Sequence, residues 1–139
     1  MFHIPLTLIS IDPGGTHLML HAYINGLKAN VLIDTGASKS ILDISRAGYY
    51  LENPDIRPFD KFFTGMGAGK IQTHITTIPK ISFGKLDILN QDILLIDLSP
   101  VNTSYAMYDL PRIDMVLGGD LLMHMRAVID YPGKRLLVG

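Results

Sequence analysis

One aspartate at the end of an apolar run is the residue of this chain best placed for acid–base chemistry. Residues 31–33 (Val-Leu-Ile) lead into Asp34, and Thr35-Gly36-Ala37-Ser38 follow at once. Placing a carboxylate at the tip of a buried strand is costly unless that carboxylate is paired. A paired carboxylate can take a proton from water while its neighbour gives a proton to a substrate. The spacing therefore singles out Asp34 as a candidate catalytic group.

The segment from Val31 to Ser38 resembles the active-site signature of the retropepsin-like aspartic proteases. In that family two such aspartates share one water molecule and one proton, because two carboxylates at close range do not both ionise. The motif occurs once in this chain. The resemblance thus implies a homodimer in which each copy supplies Asp34, Thr35 braces the two loops and Gly36 lets backbone amides approach the carboxylates.

Further segments, within residues 18 to 138, fit the same resemblance. A Gly-rich hairpin tip lies where the family has the flap that closes over substrate and excludes water. Leu117 and Gly118 resemble the element that crosses behind the catalytic loop, and they are the expected structural supports. The resemblance makes these residues the candidates for substrate binding: Ala37, Ser38, Met66, Gly67, Ala68 and Gly69.

The chain also departs from the retroviral pattern. Retroviral members pair an aspartate with an arginine at positions that here hold Ser38 and Gly119, so that brace of the loop is expected to be absent. The segment from Leu98 to Arg112 is longer than the retroviral chains provide, and it shows no clear periodicity. Retroviral dimers interleave their termini in one sheet, and the sequence leaves open whether that mode applies here.

Composition limits the partners and cofactors. The 139 residues suffice for one domain, predicted to span 1–139, with 47% hydrophobic and 18% charged residues. A net charge of −1 favours neither nucleic acid nor an anionic membrane surface, and zero cysteines exclude thiol chemistry and disulfides. The five histidines show no metal-ligand spacing, so no metal or other cofactor is expected. The sequence shows no signal peptide and no apolar run of membrane-spanning length, which favours a cytoplasmic location.

Periodicity predicts an all-β fold. Residues 17–24 alternate between apolar and polar, and Asn25-Gly26 is a strong hairpin signal. A strand and a short helical turn are expected in 41–50, and one short helix near residues 119–125. With the resemblance, these elements predict a single retropepsin-like lobe, built as a closed or partly closed barrel.

Several aspartates have simpler interpretations than catalysis. Asp120 is interpreted as a helix-start residue that interacts with the helix dipole. The turn-like segment from Ile9 to Thr16 resembles a phosphate loop of actin-like sugar kinases, but that fold needs two large domains, so we interpret it as a β-turn. Six further aspartates outside the motif are expected in turns or at the surface: Asp12, Asp43, Asp60, Asp97, Asp114 and Asp130.

Two functional hypotheses follow. The first is a homodimeric aspartic endopeptidase that hydrolyses peptide bonds in a peptide or protein substrate, through a water molecule activated by the two Asp34 carboxylates. The alternative is a catalytically inactive module of the same fold that binds peptides or dimerises without forming the carboxylate pair.

Overall fold

The computed structural model describes residues 1–11, 14–59 and 73–139, and half of these residues lie in two β-sheets. The strands of this part of the chain are β1 (Phe2–Pro5), β2 (Thr7–Ile11), β3 (Gly15–Ile24), β4 (Leu27–Ile33), β5 (Ile41–Asp43), β6 (Arg57–Pro58), β7 (His74–Phe83), β8 (Leu86–Ile96), β9 (Met115–Leu117), β10 (Val128–Asp130) and β11 (Arg135–Val138). The helices are α1 (Ala47–Tyr50), which follows a 3-10 turn at Ile44–Arg46, α2 (Ser99–Met107) and α3 (Gly119–His124).

The larger sheet closes into a barrel. Its strand order is β2-β3-β4-β9-β5-β8-β7-β6, and a further pairing of β3 with β7 joins Tyr23 to Ser82 and Ile24 to Ile81. Six strands, β3-β4-β9-β5-β8-β7, therefore form a closed ring, and β2 and β6 extend it. The prediction of a mostly β chain built as a barrel with a short helix near residue 120 is confirmed.

The first hairpins follow the sequence pattern closely. Alternate residues of β3 point into the barrel, where Leu18, Leu20, Ala22 and Ile24 are all buried. Asn25 and Gly26 both have positive φ, 49° and 81°, as a two-residue hairpin between β3 and β4 requires. The suspected phosphate loop joins β2 to β3, which pair antiparallel with Ile11 opposite Gly15.

Helix α2 lies in the segment that showed no clear periodicity. Pro100 stands in its first turn, where a missing backbone N–H costs nothing. Only Tyr105 of this helix is buried, so α2 has no broad apolar stripe that the sequence could have revealed. Tyr105 packs in a second apolar cluster outside the barrel, with Ile9, Met19, Leu98, Ile113 and Val116. The long segment thus covers the outer face of the sheet.

The expectation that Asp43 and Asp114 lie in turns or at the surface was wrong, because both are buried. The Asp114 carboxylate accepts the backbone N–H of Asn30 at 2.9 Å and the Arg46 side chain at 3.1 Å. Asp43 accepts the backbone N–H of Ser45 at 3.1 Å. The buried carboxylates are thus paired with cations and amides, which offsets the cost of removing them from water.

Asp97 is at the surface, as expected, and Asp130 is the last residue of β10, directly before the β10–β11 turn. The Ser99 hydroxyl and backbone N–H both donate to Asp97 and hold the pKa of that carboxyl below its usual value. Asp130 accepts the backbone N–H of Gly133 at 2.9 Å and pairs with Arg135. Asp12 and Asp60 lie outside the described residues.

We expect Asp114→Ala to lower the free energy of unfolding by about 3 kcal/mol, because it leaves a buried backbone N–H and a half-buried arginine without their partner. Urea titration of both proteins measures the difference. Asp55→Ala is the control: that side chain is 78% exposed and its ion pair with Arg57 is 3.9 Å long, so a change below about 0.5 kcal/mol is expected. Equal effects of the two substitutions would contradict the importance of the buried network.

The second sheet joins the two ends of the described chain. Its order is β1-β11-β10, so β11 is paired on both sides and β10 lies at an edge. The strand nearest the C-terminus is therefore paired within its own chain, unlike the interleaved termini of retroviral dimers. None of the helices described is both long enough and apolar enough to cross a membrane.

Candidate active site

Strands β4 and β9 place Asp34 outside the barrel. They run parallel, with Ile33 beside Leu117, and the Asp34 backbone N–H donates to the Leu117 carbonyl at 3.0 Å. This bond continues the strand pairing by one residue and fixes where the chain turns. Asp34 itself is exposed to solvent. Leu117 thus lies where a structural support was expected.

A tight turn holds one oxygen of the candidate carboxylate. The Gly36 backbone N–H donates to Asp34 Oδ1 at 3.0 Å, and the Ala37 N–H donates to the Asp34 carbonyl at 3.1 Å. Within the described residues, Asp34 Oδ2 has no hydrogen-bond partner. The turn therefore orients the carboxylate through one oxygen and presents the other oxygen to solvent.

The start of α3 crosses directly behind this turn. The Gly119 N–H donates to the Ala37 carbonyl at 2.7 Å, and the Asp120 N–H donates to the Ser38 carbonyl at 3.2 Å. A Cβ atom on Gly118 would lie 2.7 Å from the Ala37 carbonyl oxygen and 2.8 Å from the carbonyl group of Lys39. Only glycine at position 118 allows the two backbones to approach this closely.

A second brace, between Ser40 and Asp120, was not predicted from the sequence. Asp120 Oδ1 accepts the Ser40 backbone N–H at 2.9 Å and the Ser40 hydroxyl at 2.7 Å. The same hydroxyl accepts the Gly118 N–H at 2.9 Å, and Asp120 Oδ1 also accepts the Leu121 N–H at 2.8 Å. This cluster ties the Asp34 loop to α3, and its residues lie next to Gly119, where the retroviral pattern has an arginine. Asp120 is in the first turn of α3, as expected, but it also anchors the loop.

Some of the other candidate residues lie near Asp34, and others lie outside the described residues. Thr35 and Ser38 are exposed, and in the described part of the chain their side chains make no hydrogen bond. The candidates that the structure brings together are Asp34, Thr35, Gly36, Ala37, Ser38, Leu117 and Gly118. The predicted flap residues Met66, Gly67, Ala68 and Gly69, with the hairpin around them, lie outside the described residues.

Histidines do not cluster near the loop. His17 Nδ1 lies 2.5 Å from the Tyr105 hydroxyl, so this side chain contacts α2. No three His, Asp or Glu side chains in residues 1–11, 14–59 and 73–139 are arranged to hold a metal ion.

A pocket of about 190 Å³ adjoins the catalytic loop. Among the described side chains that line it, three come from the loop and α3, four from β7 and β8, and one from the residue after β6. They are Lys39, Ser40, Asp120, Ile75, Gln91, Asp92, Leu94 and Phe59. The lining combines charged and apolar groups.

Comparisons with known proteins agree with this geometry. A family model described as aspartyl protease matches residues 11–121. The curated relative DNA damage-inducible protein 1 of Neurospora crassa is 27% identical over 128 residues, which is 90% of this chain. The chain spans about a quarter (26%) of that relative's length.

Solved structures show the same fold. A retropepsin-like aspartic protease from Rickettsia conorii is 19% identical with a TM-score of 0.63, over 99% of this chain and 88% of that one. The retroviral protease-like domain of Ddi1 from Leishmania major is 17% identical with a TM-score of 0.55, over 88% and 87%. EIAV protease in complex with an inhibitor is 21% identical with a TM-score of 0.57, over 88% and 99%. The barrel, the Asp34 loop and the family match together lead to one conclusion: this chain belongs to the aspartyl protease family and has the retropepsin-like fold.

Proposed function

We propose that the protein is a homodimeric aspartic endopeptidase in which two copies of Asp34 share one catalytic water molecule. The observation that carries the proposal is the state of Asp34 in the single chain: exposed, oriented through Oδ1 by the Gly36 N–H, and with Oδ2 unpaired in the described part of the structure. A carboxylate held in this way is half of an acid–base pair. A second copy can supply the other half.

The reaction needs the two carboxylates in different protonation states. The ionised Asp34 takes a proton from the water molecule as its oxygen attacks the carbonyl carbon of the peptide bond. The protonated Asp34 of the second copy donates its proton to the carbonyl oxygen, and the resulting tetrahedral intermediate collapses as a proton passes to the leaving nitrogen. Mutual repulsion keeps one of the two carboxylates protonated.

The free edge of β10 is the expected contact between the copies. Because strand β11 is already paired on both sides, it is not available for an interleaved sheet like that of retroviral dimers. Strand β10 is paired on one side only, and the side chains of Val128 and Tyr131 are 54% and 55% exposed. Two β10 edges that meet about a two-fold axis would form one continuous sheet of six strands.

The substrate is an extended peptide bound as an added strand beside the catalytic loop. In this proposal Thr35 braces the paired loops, Ala37 and Ser38 contact the peptide, and Met66 to Gly69 close over it. The catalytic unit is the domain of residues 1–139, and the reaction needs no cofactor. The absence of cysteine suits a reducing compartment such as the cytoplasm.

The proposal is tested by cleavage of a diverse peptide library across acid to neutral pH, with the dimer fraction measured by sedimentation. Specific activity is expected to rise with protein concentration in parallel with the dimer. We expect Val128→Lys, which places like charges across the β10 edges, to weaken both dimerisation and cleavage at least about tenfold.

Met107→Lys is the matched control, since Met107 is also apolar and is 78% exposed, but lies at the end of α2. This variant is expected to dimerise and cleave like the wild type. Cleavage by a wild-type protein that stays monomeric would contradict the shared site. A folded dimer that cleaves no peptide at any pH would instead favour the inactive binding module.

A further inference from the structure

The pocket beside the catalytic loop lies between that loop and the β7–β8 hairpin. Lys39 and Ser40 belong to the loop, five and six residues after Asp34, and Ile75 and Leu94 come from the paired strands β7 and β8. Phe59 closes one side, and its backbone N–H is bonded to the Thr73 carbonyl at 3.0 Å. The pocket therefore adjoins the loop that carries Asp34.

Size and lining favour one amino-acid side chain with a polar end. The volume of about 190 Å³ is well above the roughly 10–15 Å³ that a cavity needs, on the same measure, to hold one water molecule. Phe59, Ile75 and Leu94 provide apolar walls, which suit a short aliphatic stem. The remaining lining groups are polar or charged, which suits a polar group at the end of that stem.

The charged side chains that line the pocket differ in the protein partners that they already have. Asp120 Oδ1 already accepts three hydrogen bonds, from the N–H and hydroxyl of Ser40 and from the N–H of Leu121. Asp92 accepts the Thr77 hydroxyl at 2.6 Å and lies 3.5 Å from the Arg57 guanidinium. Asp92 thus has a cation beside it, whereas Asp120 is bonded through Oδ1 by uncharged donors only.

Lys39 is the exception among these groups. In the ranges that the structure describes, its ammonium group has neither an ion pair nor a hydrogen bond. Lys39 is the one cation of the described lining, and a negatively charged guest would supply the partner that its ammonium group lacks.

We propose that this pocket is a specificity subsite for an acidic side chain of the substrate, glutamate in particular, and that Lys39 selects it. The glutamate stem packs against the apolar walls, and its carboxylate pairs with the Lys39 ammonium group. This inference rests on the proposed endopeptidase function. Because a homodimer has two copies of the pocket, the preference falls on two peptide positions placed symmetrically about the cleaved bond.

The test compares peptides that carry Glu, Gln or Lys at each position around the cleaved bond. The wild type is expected to show a kcat/KM about fivefold higher for Glu than for Gln at the two symmetric positions, the size of a partly exposed ion pair. Lys39→Arg should keep this preference, Lys39→Gln should remove it, and Lys39→Glu should reverse it in favour of Lys. Lys85→Glu, an equal charge change in the exposed β7–β8 turn, should leave the preference unchanged.

The outcomes separate this inference from the proposed function. An active wild type with the same Glu:Gln ratio as Lys39→Glu overturns the subsite and leaves the endopeptidase intact. If the wild type cleaves no peptide, the endopeptidase proposal fails, and binding of the same fluorescent peptides is measured by anisotropy. Tighter binding of Glu peptides that depends on Lys39 then supports the pocket as an acidic-side-chain site, and its absence overturns it.

Discussion

Asp34→Asn is expected to lower kcat/KM for peptide cleavage by at least about 10⁴-fold, the upper end of what a single acid–base group contributes. Asparagine is nearly isosteric, and its amide oxygen can still accept the Gly36 N–H that orients the side chain. It can neither take a proton from water nor hold the shared proton of the pair. The fold and the dimer should therefore remain while cleavage is lost, as circular dichroism, sedimentation and a peptide assay would show.

Asp87→Asn is the matched control, because Asp87 is exposed at the far β7–β8 turn, where it accepts the Ser82 hydroxyl. Its activity should equal that of the wild type. Refolding equal amounts of wild-type and Asp34→Asn chains together gives a further test. If each site needs two aspartates, only about a quarter of the dimers are active, as random pairing of two chains requires. A residual activity of one half would contradict a shared site.

The parts of the fold that the sequence revealed depend on neighbouring residues. The alternation of residues 17–24, the Asn25-Gly26 turn and the strand before Asp34 are local patterns, and the structure contains each of them. The helix that begins at Gly119 is likewise local, and it was predicted within one residue of its observed end.

The parts that the sequence did not reveal depend on distant contacts. Ser40 and Asp120 lie 80 residues apart, and nothing in either segment indicates that they pair. Asp114 and Arg46 are 68 residues apart, so the burial of Asp114 follows only once both segments are in place. Helix α2 lacks a broad apolar stripe because it contacts the sheet mainly through Tyr105.

In the candidate site, too, some features follow from local sequence and others depend on distant contacts. The motif from Asp34 to Ser38 singles out the candidate carboxylate, since the proposed chemistry needs that residue at the end of a buried strand. Lys39 was passed over because one exposed lysine carries no signal until the pocket beside it is known. The sequence therefore predicts which group reacts, whereas long-range packing determines which side chains surround it.

Gly118→Ala is expected to lower the free energy of unfolding by about 2–3 kcal/mol and to reduce kcat as well. The new methyl group would lie 2.7–2.8 Å from backbone atoms of Ala37 and Lys39, and backbone cannot move aside as the end of a flexible side chain can. The loop that carries Asp34 must shift, so the two carboxylates no longer meet the same water molecule. Thermal unfolding and peptide cleavage at a temperature where both proteins are folded measure the two effects separately.

Gly119→Ala provides the control one residue away. A methyl group there would come no closer than 3.6 Å to the Ala37 carbonyl oxygen, an ordinary contact, at the first residue of α3. Replacing glycine by alanine at a position that tolerates it stabilises a protein by about 0.4–1 kcal/mol. The two neighbouring substitutions should therefore have opposite signs for stability, and only Gly118→Ala should reduce kcat. Similar behaviour of both variants would mean that the close crossing behind the loop does not hold Asp34 in position.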